Sequence, residues 1–184
     1  SPLLILVHSD GAFPSPHEIE KLTAPLRNNP SVVATYPKIL MPFSVWVRFP
    51  FWQKHIFARD LEKESFSMCG LFDCVRKDVY LKAGGYNVER FVDGCGYGGE
   101  DSDAHFRIAR LGMTQQSDAR VIHLHDLSNN YGLDKLFARR KLLARTYGKI
   151  LQFQGFQLTL GKLSFFVRPA LAVFPFVPGL TSVG

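Results

Sequence analysis

Leu3-Leu4-Ile5-Leu6-Val7-His8-Ser9-Asp10-Gly11 is the stretch on which the fold turns. An aliphatic run without alternation predicts a central strand buried on both faces. The polar residues from His8 to Gly11 predict a turn at its end. Ser15-Pro16 then opens a helix, with Pro16 suited to the first turn and Glu18 following. That helix runs to about Arg27, and Asn28-Asn29-Pro30 stops it. Ser31 to Tyr36 reads as a second strand. Strand, helix and strand at this spacing form a βαβ unit, which predicts an α/β fold with a parallel sheet.

Further along, Pro37 to Arg59 is rich in aromatics: Phe43, Trp46, Phe49, Phe51, Trp52 and Phe57. Aromatics are core residues more often than site residues, so they are expected to cover the core rather than to meet a greasy acceptor or a bilayer. Ser65 to Arg76 holds one or two short strands. Lys77 to Ala83 is a short helix ended by Gly84-Gly85. Phe91 to Gly99 is a glycine-rich loop. Asp101 to Leu111 is a helix with Gly112 as its stop. Arg120 to Leu124 is a strand, and an amphipathic helix runs from Leu133 to about Leu151.

The chain has 184 residues, enough for one domain, with 46% hydrophobic and 21% charged residues. That composition is globular and excludes a disordered tail or a collagen-like repeat. The net charge of +6 is unevenly placed. Residues 132–184 carry eight Lys/Arg against one acid, and the rest carry fourteen against fifteen. A uniformly basic nucleic-acid binder is therefore not expected. Cys69, Cys74 and Cys95 are an odd, sparse set that fits small buried residues in a reducing compartment. No secretory signal opens the chain, and the absence of an initiator Met suggests a fragment. Phe165 to Leu180 is apolar but carries Arg168, Pro169, Pro175 and Pro178. It is shorter than the ~20 residues of a spanning helix.

The sharpest chemical feature is Gly96-Tyr97-Gly98-Gly99-Glu100-Asp101-Ser102-Asp103. Glycines allow a ligand to approach the backbone closely, and the acids that follow sit where a helix dipole favours negative charge. Helix capping alone does not explain so many glycines beside three acids. Asp10 ends the first strand, the place where open sheets bind ligands, and it can hold a divalent cation. His123 and His125 share one face of the last strand, and imidazole suits an ion such as Mn²⁺.

These elements together resemble the family 2 inverting glycosyltransferases of GT-A fold. The shared order is strand-x-x-Asp, Cys-Gly-x-x-x-x-x-Arg, Gly-Gly-Tyr-Asn, Gly-Tyr-Gly-Gly-Glu-Asp-Ser-Asp and Val-Ile-His-Leu-His. The glycine loop also looks like that of the β-1,4-galactosyltransferases. The match covers about Leu3 to Tyr147. It implies a GT-A-like (Rossmann-like), mostly parallel sheet flanked by helices, incomplete at the N-terminus. Residues 1–150 would be the C-terminal part of a catalytic domain, and residues 151–184 an apolar, membrane-proximal extension.

The resemblance also implies roles. Asp10 and His123 would bind a divalent cation (Mn or Mg) and, through it, the donor diphosphate. Asp101 would be the catalytic base, and Glu100 would orient the acceptor or shape the site. Gly98, Gly99, Tyr97, Asp103, Arg76 and His8 would line the substrate site. His8 stands where the family has the first Asp of its Asp-x-Asp motif. That substitution fits either an altered metal preference or a degenerate, inactive copy. The implied activity moves a sugar from a nucleoside-diphosphate sugar, of UDP type, to a glycan or lipid-linked acceptor. The basic, apolar end would rest on the cytoplasmic leaflet. Two other readings remain: a non-catalytic binding or scaffold module, and a metal-dependent hydrolase using the same carboxylates and histidines.

Overall fold

The computed structural model describes residues 1–58, 61–65, 67–87, 89, 99–124, 137–138, 141–142, 144–146, 148, 150 and 152. Leu3–Val7 forms β1, Gly11–Ala12 β2, Glu18–Asn28 α1 and Val32–Leu40 β3. Two short helices follow, α2 (Phe43–Trp46) and α3 (Phe51–Phe57), and then β4 (Glu62–Lys63) and β5 (Phe72–Arg76). Lys77–Lys82 is α4, Gly99–Ala109 is α5, and Met113–His123 is β6. The architecture is α/β, with a 6-stranded mixed sheet ordered β1-β5-β3-β6-β2 and β4 added to β3.

The sheet corrects two expectations. β1 and β3 run in the same direction, as a strand–helix–strand unit requires. They do not pair, because β5 lies between them and runs against both. The parallel ladder is β3 with β6, from Val32 opposite Met113 to Leu40 opposite Ile122. The other pairings, β1–β5, β2–β6, β3–β4 and β3–β5, are antiparallel. β1 is thus a strand at the end of the order, with Ile5 38% and Val7 52% exposed, and not a central strand. An aliphatic run reports hydrophobicity but not which strand will insert beside it.

Both faces of the sheet are covered. α1 lays Leu22 and Leu26 over Val32, Phe72, Cys74, Ala119 and Val121. On the opposite face Val33, Ala34, Tyr36, Met68, Val75 and Ile108 pack with Val79, Tyr80 and Ala83. α1 begins at Glu18 rather than at Pro16. The Ser15 hydroxyl donates to the Glu18 carboxylate at 2.6 Å, which holds the preceding residues in a turn. Glu18 is buried and also accepts from Lys21 Nζ at 2.8 Å and from the Arg120 amide at 2.6 Å. Burial pushes its carboxyl up, but the bonds from Lys21, Ser15 and Arg120 outweigh burial and hold it below the ordinary range. This carboxylate bolts α1 onto β6. It does so where the β3–β6 register slips between Tyr36 and Lys38, around Pro37, which has no amide to pair.

Gly84 and Gly85 end α4 with φ of +81° and +60°, a conformation that suits glycine. Gly112 does something other than the expected helix stop. A Cβ there would lie 2.4 Å from Val33 Cγ1, so the missing side chain lets the entry to β6 pass against β3. The aromatic segment also departs from expectation. Phe49 is buried with Met41 against Val45 and Trp46, but Phe43, Phe51 and Trp52 are 70%, 87% and 39% exposed. In the C-terminal helix, Thr146 and Ile150 are buried, whereas Phe137 is 72% exposed and Ala144 is exposed, although the helical spacing puts Phe137, Ala144 and Ile150 on one apolar stripe. Among the described residues no helix is long and apolar enough to cross a membrane. Phe91 to Gly98, His125 and residues 153–184 lie outside the described residues.

Candidate functional site

The chain leaves β1 at Val7 and next pairs, as β2, with the end of β6. The turn between them therefore crosses the rim of the sheet. Backbone bonds fix its path: the His8 amide donates to Leu71 O at 3.0 Å, Gly11 N to His8 O at 3.1 Å, and Leu124 N to Asp10 O at 2.7 Å. Gly11 faces His123 across the ladder, and a Cβ at Gly11 would sit 3.3 Å from Val121 Cγ2. A larger residue would lift the turn and Asp10 with it.

Asp10 is held between two imidazoles. Its Oδ1 lies 2.5 Å from His8 Nδ1, and its Oδ2 lies 3.0 Å from His123 Nε2. Burial raises the Asp10 carboxyl. The bonds and charge from His8 and His123 more than offset that, so the group sits below the ordinary carboxylate range. The Asp10 side chain is 24% exposed, His123 34% and His8 64%, so the cluster opens to solvent. Three residues expected at the site thus meet at one point of the rim.

The donor chemistry of this trio suits a divalent cation: a hard carboxylate with imidazole nitrogens. The donor atoms are turned on one another. Among the described residues no three such side chains converge as a metal group. A cation held here would exchange the direct carboxylate–imidazole bonds for coordination.

The acidic pair comes from α5. Ala109 leads into β6 at Met113, which pairs with Val32 at the foot of β3. The helix therefore runs back against β6, and its N-terminus, with Gly99, Glu100 and Asp101, is carried toward the rim. Gly99 is buried and Glu100 and Asp101 are partly exposed. Asp101 Oδ1 accepts from the Ser102 amide at 2.5 Å. Its charge acts on Cys69 and Tyr86, whose main perturbation is burial and whose protons are both held more tightly than usual. Asp101 thus stands near the Cys69–Leu71 turn, the same turn whose Leu71 carbonyl binds His8.

Two residues expected at the substrate have scaffold positions instead. Asp103 is buried and pairs with Arg107 at 2.7 Å. Arg107 also donates to the Ala83 carbonyl and, at 2.7 Å, to that of Gly85. The pair joins α5 to the glycine end of α4. Arg76 donates to Val32 O at 2.9 Å and to Leu26 O at 2.7 Å, which ties β5 to the end of α1. Register puts Arg76 opposite Leu3, at the foot of β1, away from the Val7 end that leads to Asp10. Tyr97, Gly98 and His125 lie outside the described residues.

Sequence reading missed Asp73. It is fully buried on β5 and accepts from the Cys69 amide at 3.0 Å and the Gly70 amide at 2.6 Å. Burial pushes its carboxyl up to about 7, with those amides opposing. The available signal was a lone acid inside the apolar run Leu71 to Val75. Tyr86 Oη, a buried hydroxyl, has no hydrogen-bond partner among the described residues and lies by Gly70. Cys69 and Cys74 are free thiols whose protons burial holds firmly, which suits inert packing residues. No family model matches the chain, and no curated protein matches it at a significant level.

Proposed function

We propose that the chain is the C-terminal part of a GT-A-like, metal-dependent inverting glycosyltransferase. The observation that carries this reading is the meeting of His8, Asp10 and His123 at the rim toward which α5 brings Glu100 and Asp101. Asp10 and His123, with His8 as a third donor, are the residues that would hold the cation. When bound, the cation supplies neutralising charge to a diphosphate leaving group. The chain's own chemistry falls to Asp101. Its carboxylate takes the proton of an acceptor hydroxyl as that oxygen bonds to the anomeric carbon from the face opposite the diphosphate. The C–O bond to the diphosphate breaks, and the anomeric centre inverts. Glu100, the preceding residue on the same helical turn, orients the acceptor. The acceptor is a glycan or lipid-linked hydroxyl, and the donor is a UDP-type sugar.

A second reading rests on one observation. The Asp10 carboxylate already spends both oxygens on imidazoles, an arrangement that also fits a degenerate, non-catalytic binding module. Donor turnover separates the two. The enzyme reading expects Mn²⁺-dependent hydrolysis of a UDP-sugar by the protein. It also expects Asp101→Asn to lose at least about 100-fold, the usual contribution of a general base, while keeping Mn²⁺ binding. Turnover unchanged in Asp101→Asn removes Asp101 as the base. Sugar binding without any turnover in the wild type favours the module.

A further inference from the structure

We infer that the α2–α3 segment is a docking surface for an anionic lipid bilayer. The segment is two-sided. Its inner side is the small cluster of Met41, Val45, Trp46 and Phe49, with Trp46 and Phe49 rings 6.0 Å apart. Its outer side presents Phe43, Val47, Phe51 and Trp52, exposed by 70%, 48%, 87% and 39%. No fold-stabilising purpose is served by aromatic rings held in water, and single exposed apolar residues are ordinary only when scattered. Here they are gathered on consecutive short helices.

Charge selects the occupant. From Pro37 to Arg59 the chain has four Lys/Arg (Lys38, Arg48, Lys54 and Arg59), one His (His55) and no acid. Arg48 and His55 are exposed on the same segment. Lys54 donates to the Val47 carbonyl at 3.2 Å and so fastens α3 to the end of α2. Aromatic residues flanked by cations, with acids excluded, suit an interface where rings enter the acyl boundary and cations meet lipid phosphate. An acidic protein would satisfy the cations but not four apolar side chains directed outward. The segment springs from β3 at Leu40, which pairs with Ile122, the residue before His123. Docking would therefore hold the Asp10–His123 rim close to the bilayer.

Trp46 and Trp52 are the two tryptophans of the chain, and both lie in this segment, Trp46 on its inner and Trp52 on its outer side, so tryptophan emission reports on the segment. The test adds the full chain to phosphatidylcholine vesicles, with and without phosphatidylserine, in versions carrying brominated acyl chains. The expected result is quenching and a blue shift on the phosphatidylserine vesicles. Arg48→Gln with Lys54→Gln should weaken that binding about 30-fold, at about 1 kcal/mol per cation. Phe43→Ser with Phe51→Ser changes only exposed rings and should weaken it about 100-fold. Three outcomes overturn the inference: vesicle binding without quenching, equal binding by the Phe variant, or emission already blue and insensitive to vesicles because another part of the chain covers the face. Donor hydrolysis in vesicle-free solution is independent of this surface, so failure here and failure of the enzymatic reading are told apart.

Discussion

Asp10 Oδ2 and His123 Nε2 lie 3.0 Å apart although 113 positions separate them along the chain. The contact closes the rim of the sheet, because the same turn is pinned by the Leu124–Asp10 backbone bond. Replacing Asp10 by Asn keeps the shape but removes the charge that both imidazoles face. We expect Asp10→Asn to lower Mn²⁺ affinity by at least about 100-fold, the upper range seen for perturbed metal sites. Isothermal titration with Mn²⁺ checks this, and circular dichroism of the variant should be unchanged. Wild-type affinity in both Asp10→Asn and His123→Ala would remove the trio as a cation site.

Arg107 joins Asp103 to the carbonyls of Ala83 and Gly85, with the Asp103 side chain 1% exposed and that of Arg107 21%. Removing one partner of a buried pair leaves the other uncompensated. Arg107→Ala should therefore cost about 3–5 kcal/mol of unfolding free energy. Urea denaturation measures it. A loss below about 1 kcal/mol, the range of a surface pair, would mean that the clamp does not hold α5 to α4.

Asp73 gives the fold a pH dependence of unusual sign for a carboxylate. Burial is the main cause of its raised pKa, about 7 against an ordinary 3.8. Between these values the folded chain holds a proton that the unfolded chain has released. The stabilisation is complete below about pH 4 and is lost as pH rises through about 7, by roughly 4 kcal/mol in total. Asp73→Asn removes this slope. The check is the difference in urea stability between wild type and Asp73→Asn at several pH values. A difference that does not vary with pH would show that Asp73 titrates alike in the folded and unfolded chains.

Gly112 and Val33 make a matched pair. A methyl group at residue 112 would stand 2.4 Å from Val33 Cγ1, so Gly112→Ala should destabilise by about 1–3 kcal/mol through overpacking. Val33→Ala in the same chain opens that space. The double variant should then lose less than the sum of the single losses, a coupling that a thermal-melt cycle reads directly. Strict additivity would refute the steric account.

Much of the element order was legible in the sequence. The aliphatic runs at Leu3 to Val7 and Val32 onward are strands, and Gly84-Gly85 ends a helix because two left-handed residues follow one another. What local sequence did not carry was partnership. Nothing in Leu3 to Val7 says that Phe72–Arg76 will slip between it and β3, since alternation and hydrophobicity are properties of one strand and pairing belongs to two. Charge bookkeeping failed for the same reason. Asp103 looks like a member of the acidic loop, and only the fold shows that its i+4 neighbour Arg107 takes it. At the rim, Asp10 and His123 were linked by the resemblance, whereas the contact with His8 came from the path of the turn. Phe43 and Phe51 were misplaced because aromatic content does not reveal which side of a short helix meets the sheet.

The Glu18 carboxylate takes the amide of Arg120, 102 positions downstream. α1 is therefore made long before the strand that anchors it. Until β6 is made, Glu18 has only its local partners Ser15 and Lys21, and β3 lacks its parallel neighbour. The long sequence separation of these contacts makes closure of the β3–β6 ladder a late step in folding.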